Sequence, residues 1–107
     1  MMGVGPYRPT RELRAAIERR ELDMAIGIAK DIARERRPIG LELALGLVSL
    51  VAAEGEDYDV WACRWLERWL SETPGTSIAL AAEVAATLAD LPAEPQAVEA
   101  IRELVRR

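Results

Sequence analysis

Apolar residues recur three and four positions apart in six separate stretches of the chain, and this periodicity constrains the fold more than any other feature. The spacing places side chains on one face of an α-helix, whereas no stretch alternates with the period of two that a half-buried strand requires. We therefore expect an all-α protein without a sheet. Helices are predicted at about residues 10–20, 23–35, 39–53, 60–73, 77–91 and 97–107.

Short turn segments separate these helices, and several contain proline, which steers the preceding residue away from helical geometry. Six short helices joined in this way predict three antiparallel helical hairpins, arranged as a compact bundle or as a short right-handed α–α superhelix. Residues 1–9 are rich in glycine and proline and predict a flexible N-terminal arm, so that residues 10–107 form a single helical domain. Thr10, Asp23 and either Thr76 or Ser77 are the predicted N-caps.

The third and fifth predicted helices are apolar nearly all round, because their only acidic residues are Glu42, Glu83 and Asp90. A helix without a polar face is expected to be buried among others. We therefore predict that these two helices form the middle of the fold and that the four more amphipathic helices cover them. The chain contains 18 alanines and no phenylalanine, which favours closely packed helices.

The segment Glu21-Leu22-Asp23-Met24-Ala25-Ile26 resembles the turn and second-helix start of the helical-hairpin repeats of the HEAT, armadillo and tetratricopeptide type. It recurs faintly in Pro95-Gln96-Ala97-Val98. The resemblance concerns general architecture. It implies a scaffold that binds partners along one helical face.

The residue types that most catalytic and metal sites need are missing. The chain contains no histidine and a single cysteine, Cys63, so neither a Ser-His nor a Cys-His nucleophile pair nor a zinc site can be assembled from it. We expect no enzyme activity, no cofactor, no bound metal and no small-molecule substrate. Cys63 is expected to be a small apolar filler.

The N-terminal residues lack the apolar stretch of a signal peptide, and the longest nearly uncharged runs are too short to span a bilayer. The single cysteine gives no indication of an oxidising compartment. A cytoplasmic protein without membrane contact is the expectation.

Trp61, Trp65 and Trp69 recur every fourth residue, which places all three on one side of the fourth helix. One interpretation is that the rings pack over the alanine-rich helices as core. The other is that the edge around Trp61 and Trp65 stays partly exposed and, with Arg64 and Arg68, binds a partner, since tryptophan and arginine dominate interface energetics. Both interpretations are compatible for different rings.

Charge is unevenly distributed along the chain: residues 1–40 carry a net charge of +3, residues 41–101 carry −9 and residues 102–107 carry +2. Such a division favours head-to-tail association or a charged partner. Arg11, Arg14, Arg36 and Arg37 are the candidate nucleic-acid contacts, although glutamates interrupt each basic cluster.

These features predict a non-enzymatic protein-interaction module, a helical adaptor or scaffold that binds another protein or a second copy of itself, for example as a homodimer. The alternative is a small regulatory protein that contacts nucleic acid through the arginines of its first two helices and its C-terminal tail.

Overall fold

The computed structural model describes residues 8–106, and within them the chain forms six α-helices and no strand. The helices are α1 (Arg8–Glu18), α2 (Leu22–Arg34), α3 (Leu41–Glu54), α4 (Tyr58–Glu72), α5 (Ile78–Asp90) and α6 (Ala97–Arg106). The most extensive helix contacts join α1 to α2, α3 to α4 and α5 to α6, as in three successive hairpins. The predicted all-α, six-helix fold is therefore confirmed, and the molecule measures 47 × 31 × 21 Å.

The start of α5 is explained by its capping residue. Ser77 precedes the helix in an extended conformation, and its hydroxyl oxygen accepts a hydrogen bond from the backbone N–H of Leu80 at 3.1 Å. This contact satisfies one of the free N–H groups of the first turn, as predicted from the sequence.

The other two predicted N-caps are wrong. Thr10 lies within α1, which already includes Arg8 and Pro9 because proline is tolerated in a first helical turn. Asp23 lies inside the first turn of α2, where the positive end of the helix dipole also favours a carboxylate. Residues 1–7 of the predicted arm lie outside the described residues.

Helix α3 is the centre of the fold, because it contributes to both of the apolar clusters that form the core. Leu45 and Val48 belong to the larger cluster, which joins α3 to α4, α5 and α6. Leu47 and Leu50 belong to the smaller cluster, which joins α3 to α1 and α2. A helix that is apolar all round needs partners on opposite sides, and here it has them.

Helix α5 is peripheral, which contradicts the prediction that it lies in the middle. Within the helix only Val84 and Leu88 are buried, while four alanines are exposed: Ala79, Ala82, Ala86 and Ala89. The helix is apolar mainly through alanine, and an alanine side chain exposes too little apolar area to require a covering partner.

Successive helices run in opposite directions, so the turns fall at two opposite ends of the molecule. The turns after α1, α3 and α5 share one end: Arg20 pairs with Glu54 at 2.8 Å, and the Tyr58 hydroxyl donates to the carbonyl oxygen of Leu88 at 2.7 Å. The turns after α2 and α4, the start of α1 and the end of α6 share the other end. None of the six helices described here combines the length and the apolar composition that a membrane-spanning helix requires.

Candidate functional site

An apolar groove of about 210 Å³ lies between α2 and α4, with α3 as its floor. We call it the α2–α4 groove. It exists because α2 and α4 both pack on α3 without meeting: in the described chain no Cα atom of one lies within 8 Å of a Cα atom of the other. The lining residues are Ala29 of α2, Ile39 of the following turn, Ala44, Leu47 and Val48 of α3, and Trp61, Arg64, Trp65 and Arg68 of α4.

Small side chains keep the groove open. Ala29 and Ala44 line it where α2 and α3 face the gap, and a larger residue at either position would extend into the space. Trp61 forms the opposite wall and packs against both apolar clusters, so its ring is held in place from two sides. The groove is thus a consequence of alanine on one side and tryptophan on the other.

All four residues predicted from the sequence to bind a partner line this groove: Trp61, Arg64, Trp65 and Arg68. They differ in accessibility. Trp61 is half-buried, whereas Trp65 is only 4% exposed. The expectation that Trp65 lies at an exposed edge is therefore wrong, and Trp61 is the tryptophan of the pair that a partner can reach.

Trp65 is held inside the core by two interactions. Its indole N–H donates a hydrogen bond to the backbone carbonyl oxygen of Leu41 at 2.9 Å, which ties α4 to the first turn of α3. Its ring stacks on that of Trp69, with centroids 6.4 Å apart and an interplanar angle of 5°. Trp69 is 2% exposed, so these two rings belong to the packed interior.

The rim of the groove is positively charged, because Arg64 and Arg68 are its only charged lining residues. Arg64 is exposed and forms no ion pair or hydrogen bond within the described residues. The Nε of Arg68 lies 2.6 Å from a carboxylate oxygen of Glu72, one helical turn further on. Arg64 therefore has its full hydrogen-bonding capacity available for a bound group.

The four arginines predicted to contact nucleic acid do not form one surface. Arg36 and Arg37 are exposed in the turn after α2, and Arg11 is exposed on the first half of α1, which lies at the same end of the molecule. Arg14 instead lines a separate depression between α1, α3 and α6, beside Glu18 and Glu42. A shared site is thus limited to three of the four residues.

Cys63 is exposed, so the prediction that it is a buried apolar filler is wrong. Among residues 8–106, no three cysteine, aspartate or glutamate side chains come together in a way that could hold a metal ion. No protein-family model, curated protein or solved structure matches this chain significantly.

Proposed function

We propose that the protein is a non-enzymatic interaction module that binds a partner polypeptide in the α2–α4 groove. The partner presents one or two apolar side chains flanked by carboxylates. The observation that carries this proposal is the convergence of an accessible tryptophan, Trp61, and two arginines on one apolar groove. Buried aromatic and arginine anchors supply most of the binding energy in protein interfaces.

The size of the groove determines what part of a partner enters it. An enclosed cavity of roughly 150 Å³ holds one benzene molecule. A groove of about 210 Å³ therefore accepts one or two side chains and excludes a whole helix. An amphipathic helix lying across the groove would insert side chains at positions i and i+3 or i+4, which is the usual pattern of helix-in-groove recognition.

The positive charge of the rim determines which charge a partner must carry beside its apolar anchors. Arg64 and Arg68 stand one helical turn apart on α4, and a carboxylate matches the fork of guanidinium donors. Lysine or arginine near the anchors of a partner would instead meet like charge, which disfavours the complex. The proposed partner is accordingly acidic around its apolar anchors.

Two synthetic helical peptides with the same leucine face test this proposal, one with glutamate and the other with lysine beside the leucines. We expect the glutamate peptide to bind in a fluorescence-anisotropy titration and the lysine peptide to bind at least about tenfold more weakly. Trp61→Ala and Arg64→Glu should each lower the affinity for the glutamate peptide by about tenfold or more.

Matched controls keep the interpretation clear. Val60→Ala truncates an exposed residue of the same helix outside the groove lining, and Arg14→Glu reverses a charge away from it, so neither should change peptide affinity. Circular dichroism would verify that each variant keeps its helix content. If neither peptide binds, or if Trp61→Ala has no effect, the groove is not a binding site.

Contact with nucleic acid is the second candidate, supported by the location of Arg11, Arg36 and Arg37 at one end of the molecule. Glu12 and Glu35 lie among these arginines and oppose phosphate binding. A labelled 20-base-pair DNA duplex tests the idea. Binding of the duplex that falls steeply with added salt, and that is abolished when Arg11→Glu and Arg36→Glu are combined, would support nucleic-acid contact. Absence of duplex binding at low salt would exclude it.

A further inference from the structure

The antiparallel order of the helices places many of the acidic residues at one end of the molecule and many of the basic residues at the opposite end. The acidic end consists of residues 18–24, 54–60 and 90–96, which are the turns after α1, α3 and α5 with their flanking helix ends. The basic end consists of residues 8–12, 34–42, 68–78 and 102–106, which are the remaining turns with their flanking helix ends, together with the start of α1 and the end of α6.

Contacts within each end support this grouping. At the acidic end, Arg20 pairs with Glu54, and the Tyr58 hydroxyl donates to the carbonyl of Leu88. At the basic end, Leu41 and Glu42 of α3 share one pocket with Thr73, which follows α4, and with Arg106 of α6.

The two ends carry opposite net charge. The acidic end holds nine carboxylates and two arginines, a net charge of −7. The basic end holds eight arginines and five carboxylates, a net charge of +3. The rest of the described chain is nearly balanced, so the molecule as a whole is an electric dipole along the helix direction. Complementary potentials of this kind steer and orient association.

Both ends also expose large apolar side chains. The described chain has four exposed large hydrophobic residues, and they divide equally between the ends: Met24 and Val60 at the acidic end, and Leu70 and Ile78 at the basic end. Ile78 is 89% exposed, the highest value of the four. Apolar residues surrounded by charge are the composition of an interface core with a polar rim.

We propose that the basic end of one copy of this chain binds the acidic end of another. A second copy carries a surface that is complementary in charge and supplies its own exposed apolar residues. Because the two surfaces are different and lie at opposite ends, the contact is heterologous, and each added copy leaves one free end of each kind. The assembly therefore grows beyond a dimer. This inference is independent of the α2–α4 groove.

The expected association is sensitive to salt, because attraction between exposed charges more than about 8 Å apart is largely screened at physiological ionic strength. Light scattering coupled to size-exclusion chromatography should give a mass that rises with protein concentration in 50 mM salt, beyond twice the monomer mass of 11.8 kDa. In 500 mM salt the mass should return towards that of the monomer.

Two end-specific variants test the geometry. The basic-end variant combines Arg36→Glu with Ile78→Ser, and the acidic-end variant combines Glu56→Arg with Val60→Ser; all four side chains are exposed. Each variant alone should remain at 11.8 kDa. An equimolar mixture should form a dimer and nothing larger, because each variant retains the end that the other has lost.

Reversal of charges away from the ends provides the control: Arg14→Glu and Glu83→Arg should leave the assembly of the wild-type chain unchanged. The inference is overturned if the wild-type chain stays monomeric at millimolar concentration in 50 mM salt. It is equally overturned if the mass stops at a closed dimer, or if the mixed variants stay monomeric while circular dichroism shows both to be folded.

Discussion

At the scale of single residues, Tyr58 makes the polar contact that joins the start of α4 to the end of α5. Its hydroxyl donates to the backbone carbonyl of Leu88 at 2.7 Å, across 30 positions of sequence. Tyr58→Phe keeps the ring but removes this donor. We expect a loss of about 1 kcal/mol in the free energy of unfolding, measured by urea denaturation at pH 7. A loss above about 3 kcal/mol would show that ring packing has changed as well.

The same residue predicts a pH dependence at alkaline pH. Burial, followed by the negative charge of Asp59, raises the pKa of Tyr58 from 10.0 to about 12. Below pH 10 the phenol is protonated in both folded and unfolded chains, so the contribution of Tyr58 to stability is fully present. Between pH 10 and about 12 only the unfolded chain ionises, and this contribution is lost as the pH rises.

The measurement for this prediction is a comparison of the wild-type chain with Tyr58→Phe in urea at pH 8 and pH 11. The stability advantage of the wild type should be smaller at pH 11, because the variant has no phenol at this position. Effects of all other groups act on both proteins and cancel in the difference. An advantage that is equal at the two pH values would contradict the raised pKa.

The tryptophans mark the limit of prediction from sequence at this scale. Spacing alone places Trp61, Trp65 and Trp69 on one side of α4, and the structure agrees. Spacing does not determine which ring meets a neighbouring helix. That depends on the position of α3, whose Leu41 carbonyl accepts the Trp65 N–H, and on the gap between α2 and α4 beside Trp61.

At the scale of helices, the end of α2 depends on a residue in an unfavourable backbone conformation. Arg36 has φ of 58°, in the left-handed region, and the N–H groups of Arg36 and Arg37 donate to the carbonyls of Ala33 and Ile32. Glycine usually occupies this position after a helix. Arg36→Gly should therefore stabilise the protein by about 1 kcal/mol relative to Arg36→Ala, since both remove the same charge and only glycine relieves the strain.

Thermal or urea unfolding of the two Arg36 variants measures this difference directly. Both variants lack the guanidinium group of Arg36, so its loss does not contribute to the difference in their free energies of unfolding. Equal stability of the glycine and alanine variants would mean that the left-handed conformation is not maintained in solution.

Helix positions could be predicted from the sequence far better than helix burial. The predicted end of α4 and the predicted start of α5 each agree with the observed position within one residue, because proline, glycine and Ser77 mark the turn between the two helices. Burial was predicted correctly for α3 and wrongly for α5. Leucine and valine on both sides of α3 require two sets of partners, whereas alanine on the outer side of α5 tolerates water.

At the scale of the whole molecule, the distribution of charge along the chain differs from its distribution in space. The sequence divides into a basic first 40 residues and an acidic middle. In the fold, each hairpin returns to its starting side, so the acidic turns 54–59 and 90–94 join Glu18 and Glu21 at one end. The positions of the turns, combined with the predicted hairpins, are sufficient to predict that the acidic turns meet at one end. The net charge of successive sequence regions does not predict it.

The central position of α3 also predicts cooperative unfolding. Leu50 is 4% exposed and belongs to the smaller cluster, with α1 and α2, while Trp65 and Trp69 belong to the larger one. Leu50→Ala should cost about 2–5 kcal/mol. Because both clusters need an intact α3, the loss should appear equally in the fluorescence of Trp65 and Trp69 and in far-UV circular dichroism.

A Trp61→Phe background isolates the two buried tryptophans as reporters, since Trp61 touches both clusters. In that background, Leu50→Ala should move the fluorescence and circular-dichroism midpoints in urea by the same amount, and the exposed substitution Lys30→Ala should move neither. A fluorescence midpoint that stays in place while the circular dichroism divides into two steps would mean that the clusters unfold separately. In that case α3 would remain folded on α4 and α6 after α1 and α2 are lost, and the molecule would contain two units of stability instead of one.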